Sequence, residues 1–219
     1  MELMGRIVLP ELPELSFDEE SHIYMVNGNV VPSVTQLMKP LSEAKYANIP
    51  QSTLDNAAKR GTEIHSAIEF FVKYGFEEIE SEYQGYFDAF KAWWRTLDNP
   101  SVLASEYQSY FAQGDEMSEI YGSTFAGTMD LVGFIGGAVT IVDFKSTSTI
   151  SDMLCGVQLE AYAQILKSYG IVPERKLIVQ LRPDARYSVR EYVPNDTLRW
   201  GVFRALRIID NYKKSGGNK

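Results

Sequence analysis

The strongest local constraint in this 219-residue chain is the pair Gly136-Gly137, set between two β-rich runs, Phe125 to Ile135 and Ala138 to Lys145. Two glycines in that setting predict a two-residue hairpin turn, because the turns that match strand twist need positive φ at their central positions. Such a turn fixes the register. Ile135 faces Ala138 and paired positions sum to 273, which sets Asp130 directly across from Asp143. Directly opposed residues share a face, with Cβ atoms roughly 4.5–5.5 Å apart. Lys145, two residues beyond Asp143, points the same way, while Val142 and Phe144 point to the other side, into the core. A slip of one residue would put the two acids on different faces.

Two opposed carboxylates repel, and these lie in apolar strands where desolvation is costly. A divalent cation resolves the conflict. Mg²⁺ and Mn²⁺ take carboxylates together with waters and substrate phosphate oxygens. Lys145 could then stabilise developing charge or orient an attacking water. The plainer alternative is that Lys145 neutralises the pair as a weak surface ion pair.

Other segments follow from periodicity and punctuation. Residues 17–35 predict a hairpin turning at Asn27-Gly28, with Pro32 ending the second arm and Ser33 capping a short helix through Met38. From Ser52 the pattern is helical, interrupted at Gly61 (two helices, or one with a close contact there) and ended at Gly75. Glu82 to Leu97 is a helix whose aromatic stripe is read as core. Then come a strand from Ser101 to Ala112, the Gly-Gly hairpin, a helix from Gln158 to Lys167, strands at Lys176–Arg182 and Tyr187–Val193, and a helix from Thr197 to Tyr212 capped by Asp196. The tail from Lys213 reads as a frayed end. The order is helical first, then β-β-β-α-β-β-α. It predicts an α/β fold, a mixed central sheet flanked by helices.

Composition narrows the chemistry. Hydrophobic content of 45% and charged content of 23% are those of an ordinary globular protein. Cys155 is the only cysteine, which excludes an intramolecular disulfide, a cysteine zinc site and an iron–sulfur cluster; it reads as a small apolar filler. Residues 1–6 lack the apolar core of a signal peptide, and no apolar run is long enough to span a bilayer, so the cytoplasm is the expected compartment. The net charge of −8 counts against a non-specific nucleic-acid coat. A local basic groove remains compatible with it, and Arg175, Lys176, Arg182, Arg186, Arg190, Arg199, Arg204 and Arg207 concentrate in the C-terminal third.

Gly127-Thr128-Met129-Asp130 followed by Asp143-Phe144-Lys145 resembles the core of the PD-(D/E)xK nucleases, in particular the RecB-like exonucleases with their many phage-encoded members. Gly61-Thr62-Glu63-Ile64-His65 looks like that branch's upstream glycine–histidine helix, and Gln158-x-x-x-Tyr162 like its downstream glutamine–tyrosine helix. Phe17-Asp18-Glu19 through Val31-Pro32-Ser33-Val34-Thr35 is similar to the N-terminus of phage members. The resemblance covers roughly residues 17–165. It implies a restriction-endonuclease-like core over 101–219, preceded by a hairpin and helical section over 1–100 that forms one wall of a cleft, all in one compact domain. His65 and Asp130 would be metal ligands, Asp143 would bridge or share the metals, and the Phe144 carbonyl would also ligate. Lys145 would assist the nucleophilic water, and Gln158 and Tyr162 would hold the site or the DNA.

The implied activity is Mg²⁺- or Mn²⁺-dependent DNA exonuclease action in phage-type recombination, repair or DNA processing. The setting would be the host cytoplasm if phage-encoded, with a single-strand annealing protein as a partner and a homo-oligomer as a further option. A structure-specific endonuclease, or a DNA-binding or assembly module with a nuclease fold and little activity, are the alternatives. Departures are Asp143 where many relatives carry Glu, and the absence of the four-cysteine frame of some relatives. Glu106 could be a third acid near the metals or could face solvent. Glu69 could support His65 or be solvated. Ser146, Thr147 and Ser148 could donate to a phosphate. His22 reads as structural or exposed.

Overall fold

The computed structural model describes residues 7–112 and 124–216. A small antiparallel sheet comes first: β1 (Leu15–Asp18), β2 (Ile23–Val26) and β3 (Asn29–Val31), in that spatial order. β2 and β3 form the expected hairpin, with Asn27 and Gly28 at positive φ, and β1 adds a strand on the other side. Ser33 caps the short α1 (Val34–Leu37) in a capping box with Gln36. Next come α2 (Lys39–Tyr46), α3 (Gln51–Tyr74) and α4 (Gln84–Trp94).

α3 runs unbroken through Gly61, where an added Cβ would meet nothing within 4 Å, so no close contact explains that glycine. Gly75 ends the helix in the left-handed conformation, as its sequence position suggested.

The main sheet has the order β4 (Ser101–Tyr110), β5 (Ala126–Ile135), β6 (Ala138–Lys145), β7 (Arg175–Leu181) and β8 (Tyr187–Tyr192). Only β6 and β7 are parallel, joined across one face by α5 (Asp152–Ser168). α6 (Thr197–Lys214) closes the described fold behind its Asp196 cap. α5 begins six residues earlier than its apolar periodicity indicates, at the Ser151 cap. α6 carries helix through Lys214, two residues into the tail expected to fray, and 217–219 lie outside the described residues.

Alternation along β6 and β7, broken on β5 between Met129 and Val132, builds two cores. Met129, Val132, Val139, Ile141 and Ile178 pack with α1, α5 and α6 on one face. Leu131, Ile135, Val142, Phe144, Leu177 and Val179 pack with α3 and α4 on the other. The aromatic stripe of α4 is core: Phe87, Phe90 and Trp93 are buried. The result is a mixed sheet between two helical layers, an α/β fold. No helix of the described residues is long and apolar enough to cross a membrane.

Candidate active site

Gly136 and Gly137 both take positive φ, and the β5–β6 ladder runs from Ile135–Ala138 to Leu131–Val142 in the expected register. Direct opposition predicts Asp130 and Asp143 as the next pair on one shared face, but the ladder ends at Leu131–Val142. Alternation along β5 breaks between Met129 and Val132, so Asp130 turns towards α3 while Asp143 faces α5. Instead of a backbone partner, the Phe144 N–H donates to Asp130 Oδ2 at 2.7 Å. The Asp130 carboxylate thus lies in the gap between the strands, where it also meets α3. His65 of α3 has Nδ1 3.5 Å from Asp130 Oδ2 and 3.5 Å from Glu106 Oε1.

Glu106 arrives from the other neighbouring strand. It lies between the Ser105–Leu131 and Tyr107–Met129 pairs, hence across from Asp130, with φ at 51°. A left-handed glutamate within a strand is strained backbone, and such strain gathers at functional sites. The potential ligand atoms of His65, Glu106 and Asp130 lie within 4.8 Å of one another. Of the two readings open for Glu106, the structure favours the inward one.

Asp143 faces α5, beside Lys145. Lys145 Nζ lies 3.0 Å from Asp143 Oδ1 and 2.7 Å from Oδ2. Gln158 Nε2 also donates to Oδ1 at 3.0 Å and to the Tyr162 hydroxyl at 3.1 Å. Gln158 and Tyr162 stand one helical turn apart on α5, so both reach the same strand end. Asp143 Oδ2 is buried and has the Lys145 ammonium as its partner.

The electrostatics are those of crowded acids. Burial lifts the Asp143 carboxyl to about 6, with Asp130 adding to the shift and Lys145 opposing it. Burial likewise raises Glu106. Asp130 ends below the usual carboxylate range because His65, Lys145 and the Phe144 N–H outweigh its burial. Burial alone would lower His65, but Asp130 and Glu106 more than reverse this and hold it well above its ordinary value. The proton positions agree. Phe144 O can only accept, and it lies 3.2 Å from His65 Nε2, so Nε2 carries a proton while Nδ1 faces two carboxylates. The half-buried imidazole thus lies among acids that favour its protonated form.

The cleft in front of His65 has a volume of about 730 Å³ and is lined by α3, the β1–β2 hairpin and β4, through residues that include Phe17, His22, Thr62, Glu106 and Thr128. A second cavity of about 280 Å³ lies behind Lys145 and Gln158, walled by Tyr46, Thr147, Ser151 and Cys155.

All eight candidate residues — His65, Glu106, Asp130, Asp143, Phe144, Lys145, Gln158 and Tyr162 — meet around this strand end. Glu69 does not join them, since it pairs with Lys73. His22 is exposed and packs edge-on to Phe17 and Tyr24. Arg175, Lys176, Arg186, Arg190 and Arg199 are ion-paired to Glu191, Glu160, Asp184, Asp152 and Asp196. Arg204 and Arg207 lie over aromatic rings. Sequence reading missed Thr128, whose Oγ1 bonds the Tyr24 hydroxyl at 2.7 Å and ties the small sheet to the strand carrying Asp130.

The family model of the PD-(D/E)XK nuclease superfamily matches residues 36–197, and the chain belongs to that superfamily. No curated protein matches it in sequence. Among solved structures it is similar to a protein named SSO0001, at 14% identity and a TM-score of 0.45, over 86% of this chain and 77% of that one. It is also similar to a candidate exonuclease from Eubacterium rectale, at 13% identity and a TM-score of 0.48, over 74% and 68% of the respective chains. Nucleases of the superfamily use divalent metal ions. The donor set here fits one: an imidazole and hard carboxylate oxygens, those of His65, Glu106 and Asp130, whose potential ligand atoms lie within 4.8 Å of one another.

Proposed function

We propose that this nuclease is a Mg²⁺- or Mn²⁺-dependent DNA exonuclease of the RecB-like branch, serving phage-type recombination, repair or DNA processing. One observation carries the reading. Glu106, Asp130 and Asp143 come from three adjacent strands to one strand end, beside a lysine and an imidazole. No folding requirement calls for that arrangement, since buried like charges destabilise.

Asp130, Asp143, Glu106, His65 and the Phe144 carbonyl would hold the metal. When bound, the metal supplies Lewis acidity toward the scissile phosphate and acidifies a water. Lys145, anchored on Asp143, puts an ammonium where negative charge develops. Gln158 and Tyr162 fix the Asp143 carboxylate in the orientation it must present. A single-strand annealing partner and assembly of several copies belong to the same reading.

End-labelled linear duplex and closed-circular DNA, each incubated with Mn²⁺ and either wild type or Lys145→Ala, test it. Wild type should shorten the linear DNA from its ends and spare the circle. Lys145→Ala should lose activity by roughly 100-fold or more, the scale of removing one charge-stabilising donor. Cutting of the circle would make it an endonuclease. Intact DNA with both proteins would leave a binding module.

A further inference from the structure

Resting on that reading of the site, we propose that Arg60, with Arg182 linked to the same segment through Gln180, holds a non-scissile phosphate of the DNA strand whose neighbouring linkage lies at Lys145. The first observation is an imbalance. This chain is acidic, at −8, and most of its described cations are already matched to carboxylates. Arg60 is not. Among the described residues it has no carboxylate partner; its Nε donates to Ser146 Oγ at 3.3 Å, and its guanidinium lies 5.5 Å from the Tyr86 ring centre. Ser146 directly follows Lys145. Arg60 precedes His65 by five residues on the same helix, so both flank the strand end.

The second observation is what braces that strand end. Gln180, paired with Lys145 across β6 and β7, is buried and donates from Nε2 to the carbonyls of Thr147 and Ser148 at 2.7 and 3.0 Å. Its Oε1 accepts from Ser188 and from Arg182 Nη2, the latter at 3.4 Å. Arg182 is exposed and likewise has no carboxylate partner among the described residues. Two arginines therefore connect to the 146–148 segment, Arg60 directly from α3 and Arg182 through Gln180 from the end of β7. Arg60 uses its Nε, a ring and a hydroxyl to hold its planar head in place, leaving its terminal nitrogens with no hydrogen bond to the described residues. A fixed guanidinium fork is suited to phosphate oxygens. Holding the neighbouring linkage is what sets the reacting one against Lys145.

The test compares Arg60→Gln, Arg60→Lys, Arg182→Gln and Ser146→Ala with wild type on a short DNA of defined sequence in Mn²⁺, each variant's fold being checked by thermal melting. Arg60→Gln should raise KM roughly tenfold with kcat changed far less, the scale of one charge-assisted hydrogen bond. It should also lower the salt slope of log(kcat/KM) by about one. Arg60→Lys should restore the slope and only part of KM. Arg182→Gln should act in the same direction, more weakly. A scan of single neutral methylphosphonate linkages should find one position that weakens wild type and leaves Arg60→Gln no worse. Ser146→Ala should leave the salt slope unchanged.

An active wild type with Arg60→Gln at the same KM and salt slope overturns the proposal and spares the nuclease reading. A Ser146→Ala enzyme that lowers the salt slope as far as Arg60→Gln also overturns it, since the arginine would then be a loop brace. A wild type that cleaves no DNA removes the nuclease reading itself, and the phosphate clamp with it.

Discussion

Asp143 is 1% exposed, and burial holds its carboxyl at about 6 against an ordinary 3.8. The consequence for stability has a definite sign. Below 3.8 folded and unfolded chains both keep the proton. Between 3.8 and about 6 the folded chain keeps it while the unfolded chain has released it, so stability falls as pH rises through that window. Above the window a constant penalty remains, up to about 3 kcal/mol. Asp143→Asn removes that penalty and also takes from Lys145 its anionic partner, so its stability relative to wild type in EDTA should rise as pH goes from 4 to 7.5, whatever the offset left by the stranded lysine. Urea unfolding at several pH values measures it, and a difference between the two proteins that does not change over that window would contradict it. Mn²⁺ should shift the balance back towards wild type, because the metal stabilises only the form that binds it. Metal binding should also release protons, since Asp130 and Glu106 raise His65 well above its ordinary value and a ligating imidazole must be neutral. Calorimetric titration at pH 7 in two buffers of different protonation enthalpy should give different apparent heats, and identical heats would mean His65 was already neutral.

At the scale of elements, the site depends on α5 lying close against β5. Gly127 permits this. A Cβ there would meet Tyr162 Cε1 at 2.8 Å and Val34 Cγ2 at 3.3 Å. Gly127→Ala should cost about 1–3 kcal/mol by overpacking. Because Tyr162 is bonded to Gln158, and Gln158 to Asp143, it should weaken Mn²⁺ binding as well. Tyr162→Phe, which keeps the ring, should weaken binding less. Equal stability and equal Mn²⁺ affinity for Gly127→Ala would show that the tyrosine yields freely.

The same elements show what can be read before a structure exists. The β5–β6 register was legible as far as Leu131–Val142 because a two-residue turn leaves one pairing, whereas the break in β5 that parts Asp130 from Asp143 was not. The partnership of Glu106 with Asp130 was not, because β4 and β5 are joined by a long connection that sets no register. The left-handed φ of Glu106 has no sequence signature either. The first turns of α5 were missed because Gly156 weakens the helical pattern. Its reason lies in another element: Arg199 of α6 lies where a side chain on Gly156 would go. α2 has no buried residue to give it an apolar stripe, and only Pro40 in its first turn marked its start.

At the scale of the molecule, the site occupies one end of a sheet whose far side is fastened by a different charge cluster. Glu160 of α5 and Lys176 of β7 form a fully buried ion pair. Glu160 also accepts from Gln164 and from the Asp196 N–H at the start of α6. One carboxylate thereby joins α5, β7 and α6, the layer that backs Asp143 through Gln158. Burial lowers the Lys176 amine and the facing glutamate pulls it back. A pair of this kind adds little net stability over an apolar pair, but removing one partner strands a charge in the core. Lys176→Met should therefore cost about 3–5 kcal/mol, roughly 10 °C in Tm for a chain of this size. Adding Glu160→Leu should recover part of that loss, the remainder being the Asp196 N–H left without an acceptor. DNA cleavage per folded molecule at 25 °C should change little in either variant, because neither side chain touches the acids at the strand end. Chemical unfolding of the two variants beside wild type separates the outcomes. A Lys176→Met loss below 0.5 kcal/mol, the scale of an ordinary surface substitution, would mean that water reaches Glu160 and that the three elements are fastened by their apolar contacts alone.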